Sequence, residues 1–213
     1  MFVDQLDLLR CTNQHRDANL VATAARTVER RIVEGVLGCP VCSAEYAIRG
    51  GTVWFSAADP ELPASAGATD AEAVRLAALL AVDGRGGCYV LCGVWGTLAR
   101  ALVDVAPVEL LLVSPPLDVR NWSTLRGSGD TIPIAGGRAR GIAIDRPSPA
   151  LAEAAARALT ENGRLIAPAA TPVPASITIL ARDDRHWVGR HQPPPAPPAL
   201  VTPRRAAPRT GSR

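Results

Sequence analysis

The sequence predicts an α/β chain: a small β-rich unit, then a mostly parallel, doubly wound sheet that closes on an antiparallel hairpin. Three observations predict it. A Cys39-Pro40-Val41-Cys42 turn lies between two strand-like runs. Short runs that are apolar on both faces, Cys88–Cys92 and residues 109–114, alternate with Ala-rich helical stretches, the pattern of strands covered on both sides. Two further runs, residues 177–182 and 186–190, flank Asp183-Asp184 and read as the hairpin.

Taken in order, residues 1–55 form the first unit. Ile32, Val36 and Leu37, then Tyr46, Ile48, Val53 and Trp54, fall at strand positions, with Gly50-Gly51 as a hairpin turn. A unit this small buries too little surface to fold alone, so bound metal would supply folding free energy. Residues 56–68 are rich in Ala, Pro, Ser and Gly and read as a linker. The second unit spans residues 69–191. Thr69-Asp70-Ala71-Glu72 has capping-box spacing and predicts a helix to about residue 82, with Val74, Ala77, Ala78 and Leu80 facing inward. Strands follow at Cys88–Cys92, 109–114, 141–145 and 164–167, with helices at 97–105 and 148–160. Ser148-Pro149 suits the start of the last helix and Asn162-Gly163 its stop. Residues 192–213, rich in Pro, Ala and Arg, are expected to be disordered.

Composition narrows the function. With 213 residues the chain holds one large domain or two small ones. Apolar residues make up 47% but aromatics only 4%, so the core must be built from Ala, Val, Leu and Ile. All 23 basic residues are Arg, which excludes a Schiff-base or phosphate-loop lysine. The net charge is +3; residues 193–213 carry four of the Arg and no acid, so +3 less 4 leaves −1 on the rest. A near-neutral body argues against a broad nucleic-acid face. Arg204, Arg205, Arg209 and Arg213 in the tail could touch RNA or an acidic partner, although a solvated tail is the simpler reading. The start lacks the basic and apolar runs of a signal peptide, and no apolar run is long enough for a bilayer. Five cysteines, three of them suited to a metal, point to a reducing cytoplasm.

Cys11, His15, Cys39 and Cys42 make a candidate site of three thiolates and one imidazole. A two-residue spacer lets both sulfurs of a Cys pair grip one tetrahedral zinc, and four protein ligands close the coordination sphere, so the zinc would be structural. Cys39 and Cys42 give the strongest signal; Asp17 or water are alternatives to His15. The competing reading is a pair of buried free cysteines beside a surface histidine.

The pattern Leu8-Leu9-Arg10-Cys11, then Ile32-x-Glu34-Gly35-x-Leu37-x-Cys39-Pro40-x-Cys42, then Tyr46-x-Ile48-x-x-Gly51 resembles the small zinc-ribbon activators of tRNA and translation-factor methyltransferases. The resemblance covers about the first quarter of the chain. Where that family places Pro and a second Cys after its first Cys, this chain has Thr12 and His15. The resemblance implies a strand that pairs with a methyltransferase partner and keeps it soluble and active, through main-chain hydrogen bonding at a sheet edge.

Residues 69–191 resemble class I S-adenosylmethionine-dependent methyltransferases, with a Rossmann-like fold. Tyr89-Val90-Leu91-Cys92-Gly93-Val94-Trp95-Gly96 stands at the family's first strand and glycine turn, residues 132–145 lead into its fourth strand, and residues 158–166 stand at its helix, turn and fifth strand. The resemblance implies cofactor contacts at Gly93, Gly96, Ser114 and Asp130, with Asp145 on the substrate side. The departures are specific. Leu91 replaces the acid of the first strand, Trp95 falls between the glycines, and Ser114-Pro115-Pro116 replaces the acid that takes both ribose hydroxyls. Blander readings compete: a tight turn for Gly93 and Gly96, capping for Ser114, Asp130 and Asp145, small buried hydrophobes for Cys88 and Cys92, structural or exposed roles for His186 and His191, and a core or lid role for Trp95. No hydrolase triad is legible.

Together these readings imply a zinc-binding, methyltransferase-like protein with an eroded cofactor site. It would act as a noncatalytic scaffold or activator on a protein partner, such as a methyltransferase or a translation component. The alternative is an active methyltransferase with its activator fused in cis. The ribbon either docks on its own second unit or leaves its strand edge free for another chain.

Overall fold

In the ribbon, apolar residues alternate along the strands, so one face can pack while the other meets water. Such strands are complete only when the last one finds a neighbour. The computed structural model describes residues 1–13, 15, 18–56, 69–116 and 121–192. Asp17, nearly all of the linker and nearly all of the C-terminal tail lie outside the described residues.

A short 3-10 turn at Val3–Leu8 leads into β1 (Val21–Val28), β2 (Arg31–Gly38), β3 (Glu45–Arg49) and β4 (Thr52–Trp54). Then come α1 (Asp70–Leu80), β5 (Cys88–Cys92), α2 (Ala99–Val105), β6 (Glu109–Val113), β7 (Ser123–Arg126) and β8 (Ala139–Ala143). The chain finishes with α3 (Pro149–Ala158), β9 (Leu159–Pro168), β10 (Ile177–Arg182) and β11 (His186–His191). All strands join one sheet in the order β1-β2-β3-β4-β7-β6-β5-β8-β9-β11-β10. Strands β5 to β9 run parallel. Strand β11 is antiparallel to both β9 and β10 and forms the expected hairpin. The chain winds outward from β5 through β6 to β7, then restarts at β8 on the other side of β5, which makes a topological switch point between β5 and β8.

The ribbon docks on its own second unit. Strand β4 pairs in parallel with β7, Thr52 opposite Thr124, Val53 opposite Leu125 and Trp54 opposite Arg126. The Phe55 N–H continues the ladder to the Arg126 carbonyl at 2.8 Å, and the Arg126 guanidinium lies over the Trp54 ring at 5.9 Å. The Phe2 N–H donates to Ser123 Oγ at 3.0 Å, and Arg31 lies over the Phe2 ring at 4.9 Å. The Met1 ammonium donates to the Ile32 and Gly51 carbonyls, and its burial, with Arg31 nearby, lowers the amine to about 5.

The core crosses the seam. One apolar cluster runs from Leu9, Leu37, Ile48 and Val53 through Leu125, Leu111 and Val90 to Leu165 and Trp187, with α3 covering it through Ala152 and Ala155. The opposite sheet face packs Leu91, Leu112 and Ile166 against Leu76 and Leu80 of α1 and Leu102 of α2. The sheet is therefore the middle of three layers over its parallel part.

Several elements differ from the sequence reading. In α1 the buried face is Ala73, Leu76, Ala77 and Leu80; Val74 is 55% exposed and Ala78 faces solvent. Ala73, Leu76, Ala77 and Leu80 recur at the three- and four-residue steps of one helical face, which Val74 and Ala78 miss. The capping box is present, with the Glu72 N–H donating to Thr69 Oγ1 at 3.3 Å and the Thr69 N–H to Glu72 Oε2 at 3.1 Å. The helix expected at 97–105 divides into a 3-10 stretch, Gly93–Leu98, and the shorter α2. Strand β8 ends at Ala143, so Asp145 lies beyond it. Helix α3 ends at Ala158, and Asn162-Gly163 sits inside β9 rather than stopping the helix. Asn162 takes a left-handed φ of 62° there, within the stretch where pairing to β8 jumps from Leu159 to Arg164; the pair bulges the strand. Strands β1 and β7 lie in stretches that the sequence reading leaves unassigned. Among the described residues no helix is long and apolar enough to cross a membrane.

A shared ladder and a shared core predict one cooperative unit. Protease cleavage within residues 57–68 is expected to leave the two fragments co-eluting on gel filtration under native conditions. Release of a separately migrating ribbon would contradict the docked arrangement.

Candidate metal centre and switch-point crevice

The metal ligands come from two places. Cys39 leaves β2 and starts a tight knuckle, closed by the Ser43 N–H to the Cys39 carbonyl at 3.0 Å, with Ser43 left-handed at φ 58°. The Cys39 N–H reaches back to the Ala44 carbonyl at 2.8 Å. Opposite it, the Cys11 N–H is held by the Ala18 carbonyl at 3.1 Å. The ligand atoms of Cys11, His15, Cys39 and Cys42 all lie within 4.8 Å of one another. Cys11 Sγ is 3.6 Å from Cys42 Sγ, and Cys39 Sγ is 3.4 Å from His15 Nε2. A tetrahedral ion with metal–sulfur bonds of about 2.3 Å needs sulfurs about 3.8 Å apart. The cluster therefore fits one metal ion, and three thiols with one imidazole suit zinc.

The surroundings favour thiolate. Cys11 and Cys39 are buried, while Cys42 is exposed. The Ala44 N–H, chiefly, pulls the Cys42 thiol down to about 6, against a desolvation effect and with help from Asn13, Cys39 and Cys11. The Asn13 N–H points at Cys11 Sγ at 3.5 Å and its side-chain amide at Cys42 Sγ at 3.3 Å. The Tyr46 hydroxyl lies 3.1 Å from Cys11 Sγ, and burial raises its pKa, so the phenol keeps its proton and can donate to sulfur. Tyr46 and Asn13 are outer-shell partners of this kind. Neither was marked as functional in the sequence, because Tyr46 reads there as an ordinary inward strand residue.

The second place to look is the switch point, since open α/β sheets take ligands in the crevice beyond the C-terminal ends of their strands. There the structure brings Gly93, Trp95 and Asp145 together. Gly93 follows β5 with φ +57°. A Cβ built on it would lie 1.7 Å from Asp145 Oδ2 and 2.2 Å from Cγ, so the carboxylate rests directly on the glycine. The Val94 N–H donates to the same Oδ2 at 2.9 Å. The Trp95 indole N–H donates to the Ile144 carbonyl at 3.1 Å, and its ring lies 5.2 Å from that of His186. Burial lowers the His186 pKa.

The other residues flagged in the sequence have local partners. Gly96 is pressed on Pro115, whose Cβ would lie 2.8 Å from an added Cβ. Ser114 is left-handed at φ 45°, and its N–H bonds the Leu125 carbonyl at 2.8 Å. Asp130 pairs with Arg146 at 3.4 Å, and Arg146 also donates to the Gly129 carbonyl. Cys88 and Cys92 are buried; burial, chiefly, pushes the Cys88 thiol up to about 12 and that of Cys92 higher still. His191 Nδ1 contacts the Thr160 carbonyl at 3.1 Å. Leu91 is fully buried in the core, and the open face of Gly93 carries Asp145.

No protein-family model matches the chain, and no curated protein matches it in sequence. Partial likenesses occur among solved structures. One is yhhF of Escherichia coli, assigned as a methyltransferase, with 13% identity over 68% of this chain and 94% of that one, at a TM-score of 0.46. A protein of Methanococcus maripaludis assigned as an S-adenosyl-L-methionine-dependent methyltransferase matches at 11% identity, covering 58% of this chain and 84% of that one, at a TM-score of 0.42. A Galdieria sulphuraria protein assigned as a sarcosine dimethylglycine methyltransferase matches at 19% identity and a TM-score of 0.37, covering 46% of this chain and 44% of that one, so less than half its length is spanned. At these TM-scores, all below 0.5, the likenesses carry no argument about fold or activity. The chain presents an α/β fold with a parallel core, antiparallel outer strands and an N-terminal cluster of three Cys and one His.

Purified protein is expected to carry one zinc per chain by elemental analysis; Cys39→Ser should lose it and lower the melting temperature by about 10 °C, and Tyr46→Phe should weaken the metal about tenfold. Gly93→Ala should cost about 1–3 kcal/mol through its left-handed backbone and the Asp145 contact. In an Asp145→Ala background the cost should shrink to the backbone share alone, as denaturant titrations of the four proteins would read.

Proposed function

We propose that this chain is a zinc-stabilised, methyltransferase-like binding protein that works through protein contacts rather than methyl transfer. The observation that supports it is the crevice at the ends of β5 and β8, where Asp145 rests on Gly93 and takes the Val94 N–H. Leu91 and Ser114 stand at the two positions where the methyltransferase resemblance calls for acids. A cofactor approaching that turn would meet a carboxylate in its path and lack the acids that hold its ammonium and ribose groups.

The ribbon resembles activators that pair a strand with a methyltransferase, and here that kind of pairing is made in cis, between β4 and β7. A partner, such as a methyltransferase or a translation component, would therefore meet another surface. The same pairing favours a second reading, an active methyltransferase carrying its own activator.

A calorimetric titration separates the two. The wild-type protein is expected to give no binding heat with S-adenosylmethionine or S-adenosylhomocysteine up to about 1 mM ligand. Micromolar binding of either would overturn the noncatalytic reading in favour of the enzyme.

A further inference from the structure

We propose that Cys42 is a site of oxidation by hydroperoxides and Cys11 the thiol that resolves it, so that the ribbon exchanges a bound ion for a Cys11–Cys42 disulfide. The proposal goes beyond the reading of a noncatalytic binding protein and shares with it only the cluster of three Cys and one His.

The five cysteines differ sharply in setting. Cys88 and Cys92 are buried in β5. They stand four steps apart along one strand, about 13 Å, beyond the reach of a bridge. Cys11 and Cys39 are buried as well, and Cys42 is the exposed one of the five. A redox-sensing cysteine is accessible and poised beside a second thiol that traps its first oxidation product. Cys42 meets both conditions. Its sulfur lies 3.6 Å from that of Cys11, and the Asn13 side-chain amide donates to it at 3.3 Å. Cys39 is engaged elsewhere, its sulfur meeting His15 Nε2 at 3.4 Å.

The choice of partner matters to the fold. A Cys39–Cys42 bridge would close the knuckle only on itself. Cys11 and Cys42 are 31 residues apart, so their bridge ties the segment before β1 to the turn after β2. The backbone on both sides is already held, by the Cys11 N–H to the Ala18 carbonyl and the Ser43 N–H to the Cys39 carbonyl. The sulfurs must close by only about 1.5 Å to reach bonding distance.

The chemistry takes two steps. The Cys42 sulfur attacks an oxygen of the hydroperoxide and the O–O bond breaks. Cys42 becomes a sulfenic acid, and its thiol proton leaves with the other oxygen as an alcohol, or as water when the oxidant is hydrogen peroxide. The Cys11 sulfur then attacks the Cys42 sulfur, the S–OH bond breaks, and the hydroxyl leaves with the Cys11 proton as a second water. Two thiols have given up two electrons to one hydroperoxide. When an ion is bound, the two protons come from solvent, and the ion loses two of its four ligands. The bridge keeps the two halves of the cluster joined in its place.

The test treats the full chain, reduced and under native conditions, with hydrogen peroxide, after elemental analysis of the untreated protein for zinc. Remaining thiols are alkylated in denaturant, peptide mapping locates any bridge, and a chromogenic chelator reads zinc release. The expected result is a Cys11–Cys42 bridge, zinc freed in step with it, and reaction about tenfold or more faster than at Cys88 and Cys92. Dithiothreitol should restore both thiols and zinc uptake. Cys11→Ser should stop at the sulfenic acid, trapped on Cys42 as its dimedone adduct; a folded variant without that adduct overturns the proposal. So does a Cys39–Cys42 bridge, oxidation spread evenly over the five cysteines, or zinc retained after bridging, all read in wild type even where the variant does not fold. If untreated protein holds no zinc yet forms the Cys11–Cys42 bridge, the zinc reading falls and the oxidation site stands. If it holds zinc and forms no such bridge, the oxidation site falls and the zinc reading stands.

Discussion

The parallel pairing of β4 with β7 is the contact on which the rest of the molecule depends. A ribbon of four strands is too thin to own a core, and a parallel sheet that stopped at β7 would expose an open edge beside buried Ser123 and Thr124. Joining the two solves both problems together. The ribbon's inward residues become part of a cluster that reaches as far as Trp187, and β7 gains a neighbour on each side. Knuckle and sheet are then linked: an ion held by the Cys/His cluster would fix the knuckle after β2, the knuckle leads into β3, and β3 carries β4 to its place on β7.

Much of this was legible in residues whose chemistry is local. The Cys39-Pro40-Val41-Cys42 knuckle, the capping box at Thr69 and Glu72, the Ser148-Pro149 helix start and the doubly apolar runs of β5 and β6 each state their structure within a few positions. The rest depends on who the neighbour is. Ser123-Thr124-Leu125-Arg126 has no apolar run or alternation to mark it, and is a buried strand because β4 and β6 flank it. Strand β1 is almost wholly exposed, so no apolar alternation marks it. Asn162-Gly163 has the composition of a helix stop, yet the sheet recruits it as a bulge. At the crevice, the missing acids could be read directly from Leu91 and Ser114. The seating of Asp145 on Gly93 could not, because 52 positions separate them and only the β5–β8 pairing brings them together.

The two candidate sites are opposite in character. At the knuckle, N–H groups and a phenol converge on sulfurs and stabilise negative charge for an ion to use. At the switch point, an N–H of the same kind is already satisfied from within.

Docking the ribbon also moves the problem of the open edge. With β7 covered, the outermost strand on that side is β1, whose Val21 and Val28 are 61% and 47% exposed. A free row of backbone donors and acceptors next to β-branched side chains invites other chains to add on, the first step toward disordered self-association. The irregular pairing around Ala24 and Arg26, where β1 slips against β2, breaks that row midway and places a charged side chain beside the break. The bulge in β1 thus interrupts this edge, one of the two on which the sheet ends, as a docking rail for a strand from another chain.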